Sequence, residues 1–212
     1  MITFLDIETI PANQDKFSQL NKIYRRKRQE TSFNSFHRST SLNGNWGQII
    51  CIGLALDTNR AQICTGSEQE ILVNFWQLIK DSRLLVGHNI IGFDLPFIFK
   101  RSVVNNIEPT LKIDLKNKSS IFDTMREWDG WSNSYTGLDQ LASILGFKSS
   151  KNGIDGSKVW QYHQAGRDEE IYNYCLADVE LTRKIYYRLT FNQDLEKVQD
   201  YYLEPNQTMQ FK

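Results

Sequence analysis

Two carboxylates one residue apart, Asp6 and Glu8 in "FLDIET", interrupt an apolar run near the start of the chain. Side chains alternate faces along a strand, so both acids point the same way, as does apolar Phe4. A solvated face or separate salt-bridge partners would account for an isolated pair. The same spacing also lets one cation touch both carboxylates, and an acid pair this early is a common way to line a cleft. A further acid, Asp94, lies in "GHNIIGFDLPFI", where a strand end runs into a helix and the helix dipole favours negative charge. Tyr174 and Asp178 in "YNYCLADVE" are four apart and share one face of a helix. None of these features decides a chemistry singly.

The elements that must hold them follow from pattern. "ITFLDI" reads as a first strand, "IICIGLAL" as a buried second and "RAQICTG" as a third, an antiparallel meander. "EQEILVNFWQLIKD" has helical apolar spacing with Ser67 as its N-cap, "LLVG" is a short buried strand, and a second helix spans Phe93 to about Val104. Pro96 fits that helix only in its first turn. "GLDQLASILGF" is a helix stopped by Gly146, and a long amphipathic helix begins near Asp168. Alternating strands and helices point to an α/β sheet. At 212 residues, without an internal repeat or Pro/Gly-rich linker, one domain over residues 1–191 is the expectation, with 192–212 a tail. No run is long and apolar enough for a membrane span, and the N-terminus lacks the plan of a secretory signal, so the expected location is cytoplasmic. Cys51, Cys64 and Cys175 are far apart in apolar stretches and read as core residues rather than a disulfide or zinc framework. The 25 basic and 25 acidic residues cancel, yet residues 16–38 hold seven Lys/Arg against one acid, Glu30. This basic stretch belongs to an insertion at about residues 12–47 between the first two strands.

Asp-x-Glu on the first strand, then "GHN" followed by Phe-Asp, then Tyr-x-x-x-Asp resemble, in that order, the three motifs of the DEDD superfamily of 3′–5′ exonucleases. The tyrosine places the chain with the branch that includes polymerase proofreading domains; the histidine branch carries its His where this sequence has Asn173. "WGQIICIGLA", "LDQLASILGF" and "DGSKVWQYHQAGRDEEIYNYCLADVELT" are further similar to stand-alone bacterial exonucleases related to the proofreading domain of family B DNA polymerases. The resemblance implies a ribonuclease H-like α/β domain, a mixed central β-sheet flanked by α-helices. It also implies hydrolysis of DNA from a free 3′ end with release of nucleoside monophosphates, single strands being preferred. Such hydrolysis needs a nucleophile and stabilisation of an in-line transition state, which two divalent metals about 4 Å apart supply. Mg²⁺ or Mn²⁺ prefers carboxylate ligands, and four are present. By resemblance Asp6 bridges both metals, Glu8 and Asp178 complete one site, Asp94 serves the second, and Tyr174 orients the attacking water. An RNA exonuclease of the same fold and a catalytically inactive nucleic-acid-binding domain are the alternatives.

The resemblance also places Thr9 and Ile10 against the terminal nucleotide and Asn89 at its pocket, while His88 holds the turn carrying Asp94 or touches substrate. Asp123 in "IFDTM" is a candidate fifth acid. Phe93, Trp128 and Trp131 are candidate stacking platforms for bases, although aromatics in so aromatic a chain are more often core. Within the insertion, "FSQLNKIYRRKRQE" can form a helix. Arg25, Arg26, Lys27 and Arg28 read either as a solvated face or as part of a flexible arm gripping phosphates, which would make binding salt-dependent.

Overall fold

A computed structural model describes residues 1–26, 31–115, 119–150 and 153–193. Its centre is β1 (Ile2–Ile10), which pairs antiparallel with β2 (Gln48–Leu56), itself antiparallel to β3 (Gln62–Cys64). On its other side β1 runs parallel to β4 (Leu84–Gly87), and β4 to β5 (Ile121–Asp123). The five-stranded order is β3-β2-β1-β4-β5, a mixed sheet with helices packed against it and the architecture of a ribonuclease H-like domain. The third strand is shorter than its apolar run suggested, beginning only at Gln62.

A central strand is buried on both faces, and β1 uses its alternation to feed two cores. Leu5 and Ile7 join Ile71, Leu72, Phe75 and Ile79 from α3 (Glu68–Ile79) and Ile98 from α4 (Asp94–Val104). Phe4, on the opposite face, packs with Val179, Tyr186 and Tyr187 of α8 (Asp168–Leu189). Asp6 and Glu8 share the α8 face with Phe4. The β1–β4 ladder stops at Phe4↔Val86, so both acids lie beyond it, where the two strands part.

The helices start where their caps dictate. The Ser67 side chain accepts from the Glu70 amide while the Glu70 carboxylate accepts from the Ser67 amide, a capping box at the head of α3. Pro96 falls in the first turn of α4, where its missing N–H is not needed. Among the described residues no helix is long and apolar enough to cross a membrane.

The insertion departs from the flexible arm. α1 (Phe17–Arg26) and α2 (Phe33–Ser39) form a helical hairpin joined by aromatic contacts, Phe17 lying 5.6 Å from Phe33 and Tyr24 5.6 Å from Phe33 between ring centroids. Three hydrogen bonds tie the insertion to the end of β1. His37 Nε2 meets the Ala12 carbonyl at 2.7 Å, the Ala12 N–H donates to Thr40 Oγ1 at 2.9 Å, and Thr9 Oγ1 donates to the Ser41 carbonyl at 2.7 Å. Contacts among half-buried aromatic rings thus join the two helices, and α1 falls within "FSQLNKIYRRKRQE", where a helix was expected. Arg25 and Arg26 are exposed at the end of α1, while Lys27, Arg28 and most of the expected tail lie outside the described residues.

Candidate active site

The strand period sets the first pair of clustered carboxylates and the helix period brings the third. Carboxylate oxygens of Asp6, Glu8 and Asp178 all lie within 4.8 Å of one another. Such proximity is unfavourable without a cation, because burial and like charge both penalise ionisation. Burial, then Asp178, Glu8 and Asp94, push the Asp6 carboxyl well above the usual range, and burial with Asp178 and Asp94 does the same for Glu8. Asp6 Oδ2 is shut away from solvent with no hydrogen-bond partner. An orphaned acceptor in a nest of carboxylates fits a divalent cation, whose hard charge would satisfy Asp6 Oδ2 and neutralise the cluster.

Asp94 is buried at the first position of α4, outside that tight group but close enough to act on Asp6 and Glu8 electrostatically. Burial pushes its carboxyl up to about 7, opposed by hydrogen bonds from the Asp94 and Ile7 amides. Because β1 has left β4 before Ile7, that amide has no ladder partner in β4 and turns to Asp94 instead. Tyr174 stands one turn before Asp178 on α8; burial and then the Asp178, Glu8 and Asp6 carboxylates hold its hydroxyl protonated, and it hydrogen-bonds Asp178.

Gly53 decides how closely α8 approaches. It faces Asp6 across the β1–β2 ladder, and a Cβ there would lie 2.9 Å from Cys175 Sγ and 3.0 Å from Val179 Cγ2. Cys175 Sγ in turn sits 3.5 Å from the Asp6 carbonyl. Sequence reading passed over Gly53 because it looked like one small residue in a buried strand; a glycine inside such a run is the available signal for close backbone approach.

The fifth acid is placed elsewhere. Fully buried Asp123 accepts from the amides of Asn89 (3.0 Å), Ile91 (3.1 Å), Met125 (3.2 Å) and Arg126 (3.3 Å). It caps α5 (Thr124–Trp128) and ties down the loop that delivers Asp94, and its oxygens are not part of the three-acid cluster. His88 is similarly engaged. Its Nδ1 meets Thr124 Oγ1 at 2.9 Å and its Nε2 the Thr136 carbonyl at 2.9 Å, which requires the proton on Nε2. Burial lowers its pKa further below the usual histidine range, and both ring nitrogens are occupied.

The remaining sequence-derived contacts scatter. Thr9 is nearly buried and gives its hydroxyl to Ser41. Ile10 is buried with Val159, Ile171 and Cys175, in a cluster that Tyr174 packs against. Asn89 adopts a left-handed conformation (φ +62°) at the turn before Asp94, and its carbonyl accepts from the Gly92 and Phe93 amides. Phe93 is half-buried and packs against the α3/α4 core, 5.5 Å from Phe97. Beside Tyr174 and Asp178, a pocket of about 300 Å³ is lined by Gly137, Leu138, Asp139 and Gln140. A pocket of about 390 Å³ between β3 and α3 contains none of the clustered acids.

With this geometry in view, comparison with known proteins is decisive at the level of family. Residues 53–211 match the model described as "Predicted 3'-5' exonuclease related to the exonuclease domain of PolB". The chain belongs to this exonuclease family. The matched interval includes Asp94, Tyr174 and Asp178; Asp6 and Glu8 precede it and are brought in by β1. A DNA polymerase of Archaeoglobus fulgidus is 28% identical over 147 residues, 61% of this chain but only 18% of the polymerase. An uncharacterized protein of Methanocaldococcus jannaschii is 25% identical over 157 residues, 70% of this chain and 89% of its own length. The structure of the family B DNA polymerase from the archaeon Pyrobaculum calidifontis aligns with TM-score 0.59 and 16% identity. It covers 93% of this chain and 26% of the polymerase chain. The exonuclease fold is thus shared with a small part of much longer enzymes.

Proposed function

We propose that this member of the exonuclease family is a metal-dependent 3′–5′ exonuclease of the tyrosine branch, acting on DNA with two divalent cations. The observation that carries the reading is the convergence of Asp6, Glu8 and Asp178 around a buried, unpartnered carboxylate oxygen. Asp6, Glu8 and Asp178 would hold one cation, and Asp6 with Asp94 the second. Bound Mg²⁺ or Mn²⁺ supplies Lewis-acid stabilisation of the phosphoryl charge and makes water a stronger nucleophile near neutral pH.

The chain's own residues do the rest. Tyr174 keeps its proton at Oη, so it positions the attacking water rather than deprotonating it. The Asp123 carboxylate and the His88 ring fix the loop that presents Asp94. Hydrolysis breaks the bond between phosphorus and the 3′ oxygen of the penultimate nucleotide. The released product is a nucleoside 5′-monophosphate, and the shortened strand keeps a 3′ hydroxyl.

End-labelled single-stranded and duplex DNA, with RNA of matched sequence, incubated with Mg²⁺ or Mn²⁺ tests the proposal. Wild type should release mononucleotides stepwise from the 3′ end of DNA and none in EDTA. Asp6→Ala should lower the rate by at least about a thousandfold and Tyr174→Phe by less. Equal rates for wild type and Asp6→Ala would remove the proposal, and faster digestion of RNA would replace its substrate.

A further inference from the structure

An aromatic loop beside the cleft has no part in the chemistry above. It joins α5 to α6 (Leu138–Ile144) and reads "GWSNSYTG" over residues 130–137, polar or glycine apart from its two aromatic rings. Asp129 closes it, accepting from the Thr136 N–H at 2.9 Å and the Thr136 hydroxyl at 2.7 Å, so residues 130–135 form one compact surface loop. The same Thr136 offers its carbonyl to His88, which couples the loop to the turn carrying Asp94. The next residues, Gly137 to Gln140, line the pocket that Tyr174 and Asp178 share. One end of the loop is therefore continuous with the catalytic cleft.

The rings are held outward rather than buried. Gly130 and Trp131 are both left-handed (φ +61° and +59°), a conformation a tryptophan adopts at a steric cost. Trp131 Nε1 donates to Glu127 Oε1 at 3.0 Å, and the Arg126 guanidinium lies 5.7 Å from the ring centroid. Trp131 is nevertheless 39% exposed and Tyr135 70% exposed. Exposing such area costs free energy in water, which an occupant of the surface would recover. Glu127 and Asp129 spend carboxylate oxygens on the loop itself, while Arg126 brings a cation to the tryptophan.

We infer that Trp131 and Tyr135 are a stacking platform for the unpaired bases just behind the 3′-terminal nucleotide, a binding surface separate from the acid cluster. This rests on the exonuclease reading and adds to it two residues that would hold the strand behind the scissile bond. A base within a duplex has both faces covered by its neighbours, and only an unstacked base can lie on an aromatic ring. Stacking is sequence-tolerant because every base presents a π face, which suits an enzyme that steps through successive nucleotides. Arg126 beside Trp131 is itself 3.6 Å from the buried Asp123 carboxylate, which anchors the cation next to the ring.

The test is hydrolysis of a twelve-residue oligothymidylate, compared with the same strand carrying abasic sites at the second and third nucleotides from its 3′ end. On the intact strand, Tyr135→Ala and Trp131→Ala should each raise KM about tenfold with little change in kcat, whereas Tyr135→Phe keeps the wild-type KM. The abasic strand should raise the wild-type KM by a similar factor and leave the Tyr135→Ala value unchanged, which a purely structural role would not produce. Active enzyme whose KM ignores both the abasic sites and Tyr135→Ala overturns the platform and leaves the exonuclease reading standing. Absence of mononucleotide release by wild type from any strand overturns both.

Discussion

A carboxylate that folding forces among other carboxylates is a stability statement as well as a catalytic one. Asp94 lies in the ordinary carboxylate range in the unfolded chain, and burial in the folded protein pushes it up to about 7. Asp6 and Glu8 shift in the same direction. The folded state therefore binds protons more tightly, so the contribution is fully present below about pH 4 and is lost as pH rises through about 7. In EDTA the melting temperature should fall between pH 5 and pH 8. Mg²⁺ should raise it more at pH 8 than at pH 5.5, because protons compete with the cation. Scanning fluorimetry measures both, and Asp6→Asn should flatten both; a Tm that climbs steadily with pH in EDTA would contradict the account. Asp6 with Glu8 was legible from a period of two and Tyr174 with Asp178 from a spacing of four, since those periods are local. Asp123 was not separable from them by sequence, because its amide partners at Asn89 and Ile91 meet it only after the chain folds. Its place immediately before a helix was the one available hint of a cap.

Elements matter here through how closely they approach. Helix α8 carries Tyr174 and Asp178, and its distance from β1 is set by the absent side chain at Gly53. Gly53→Ala should therefore separate the carboxylate contributed by the helix from those of the strand. We expect a stability loss of about 1–3 kcal/mol from overpacking and a fall in kcat of more than tenfold where the variant is still folded. Urea unfolding with activity measured on the same preparation distinguishes the two effects. Full specific activity in a destabilised variant would show that the seating of α8 does not control the site. On the far face, Arg101 forms a buried bidentate pair with Glu68, which also accepts from the Ile49 and Asn105 nitrogens, so α3, α4 and β2 are fixed together. The strands, α3, α4 and α8 were readable because their apolar periods run for whole elements. Helix α6 was read from "GLDQLASILGF", whereas α5 and α7 (Val159–Gln164) span only five and six residues, too short to show a period of their own. Helix α1 falls within the stretch read as helix-forming, while its pairing with α2 through aromatic rings interleaved with basic residues was not legible in the sequence.

At the scale of the molecule, charge is balanced, 25 basic against 25 acidic residues, so attraction to a polyanion must come from where charge is placed rather than how much there is. The hairpin of α1 and α2 is the place the sequence concentrates it, and the fold does not leave that segment loose. Thr9, the residue after Glu8 of the carboxylate cluster, is bonded to Ser41, so the insertion is fixed to the strand that carries the acids. Arg25 and Arg26 sit exposed at the end of α1, and each phosphate they neutralise should release counterions on binding. For single strands the slope of log K against log salt is about −0.7 per phosphate neutralised. Arg25→Ala with Arg26→Ala should therefore make the slope shallower by about 1.4 and weaken binding most at low salt, with the saturated rate close to wild type. Anisotropy titrations of a labelled oligonucleotide between about 50 and 200 mM salt resolve such a change. An unchanged slope would assign the hairpin a packing role alone and move the electrostatic contact elsewhere on the surface. A slope reduced together with kcat would mean that the hairpin also sets the position of β1, because a purely electrostatic grip acts on encounter and affinity and leaves the acids where they are.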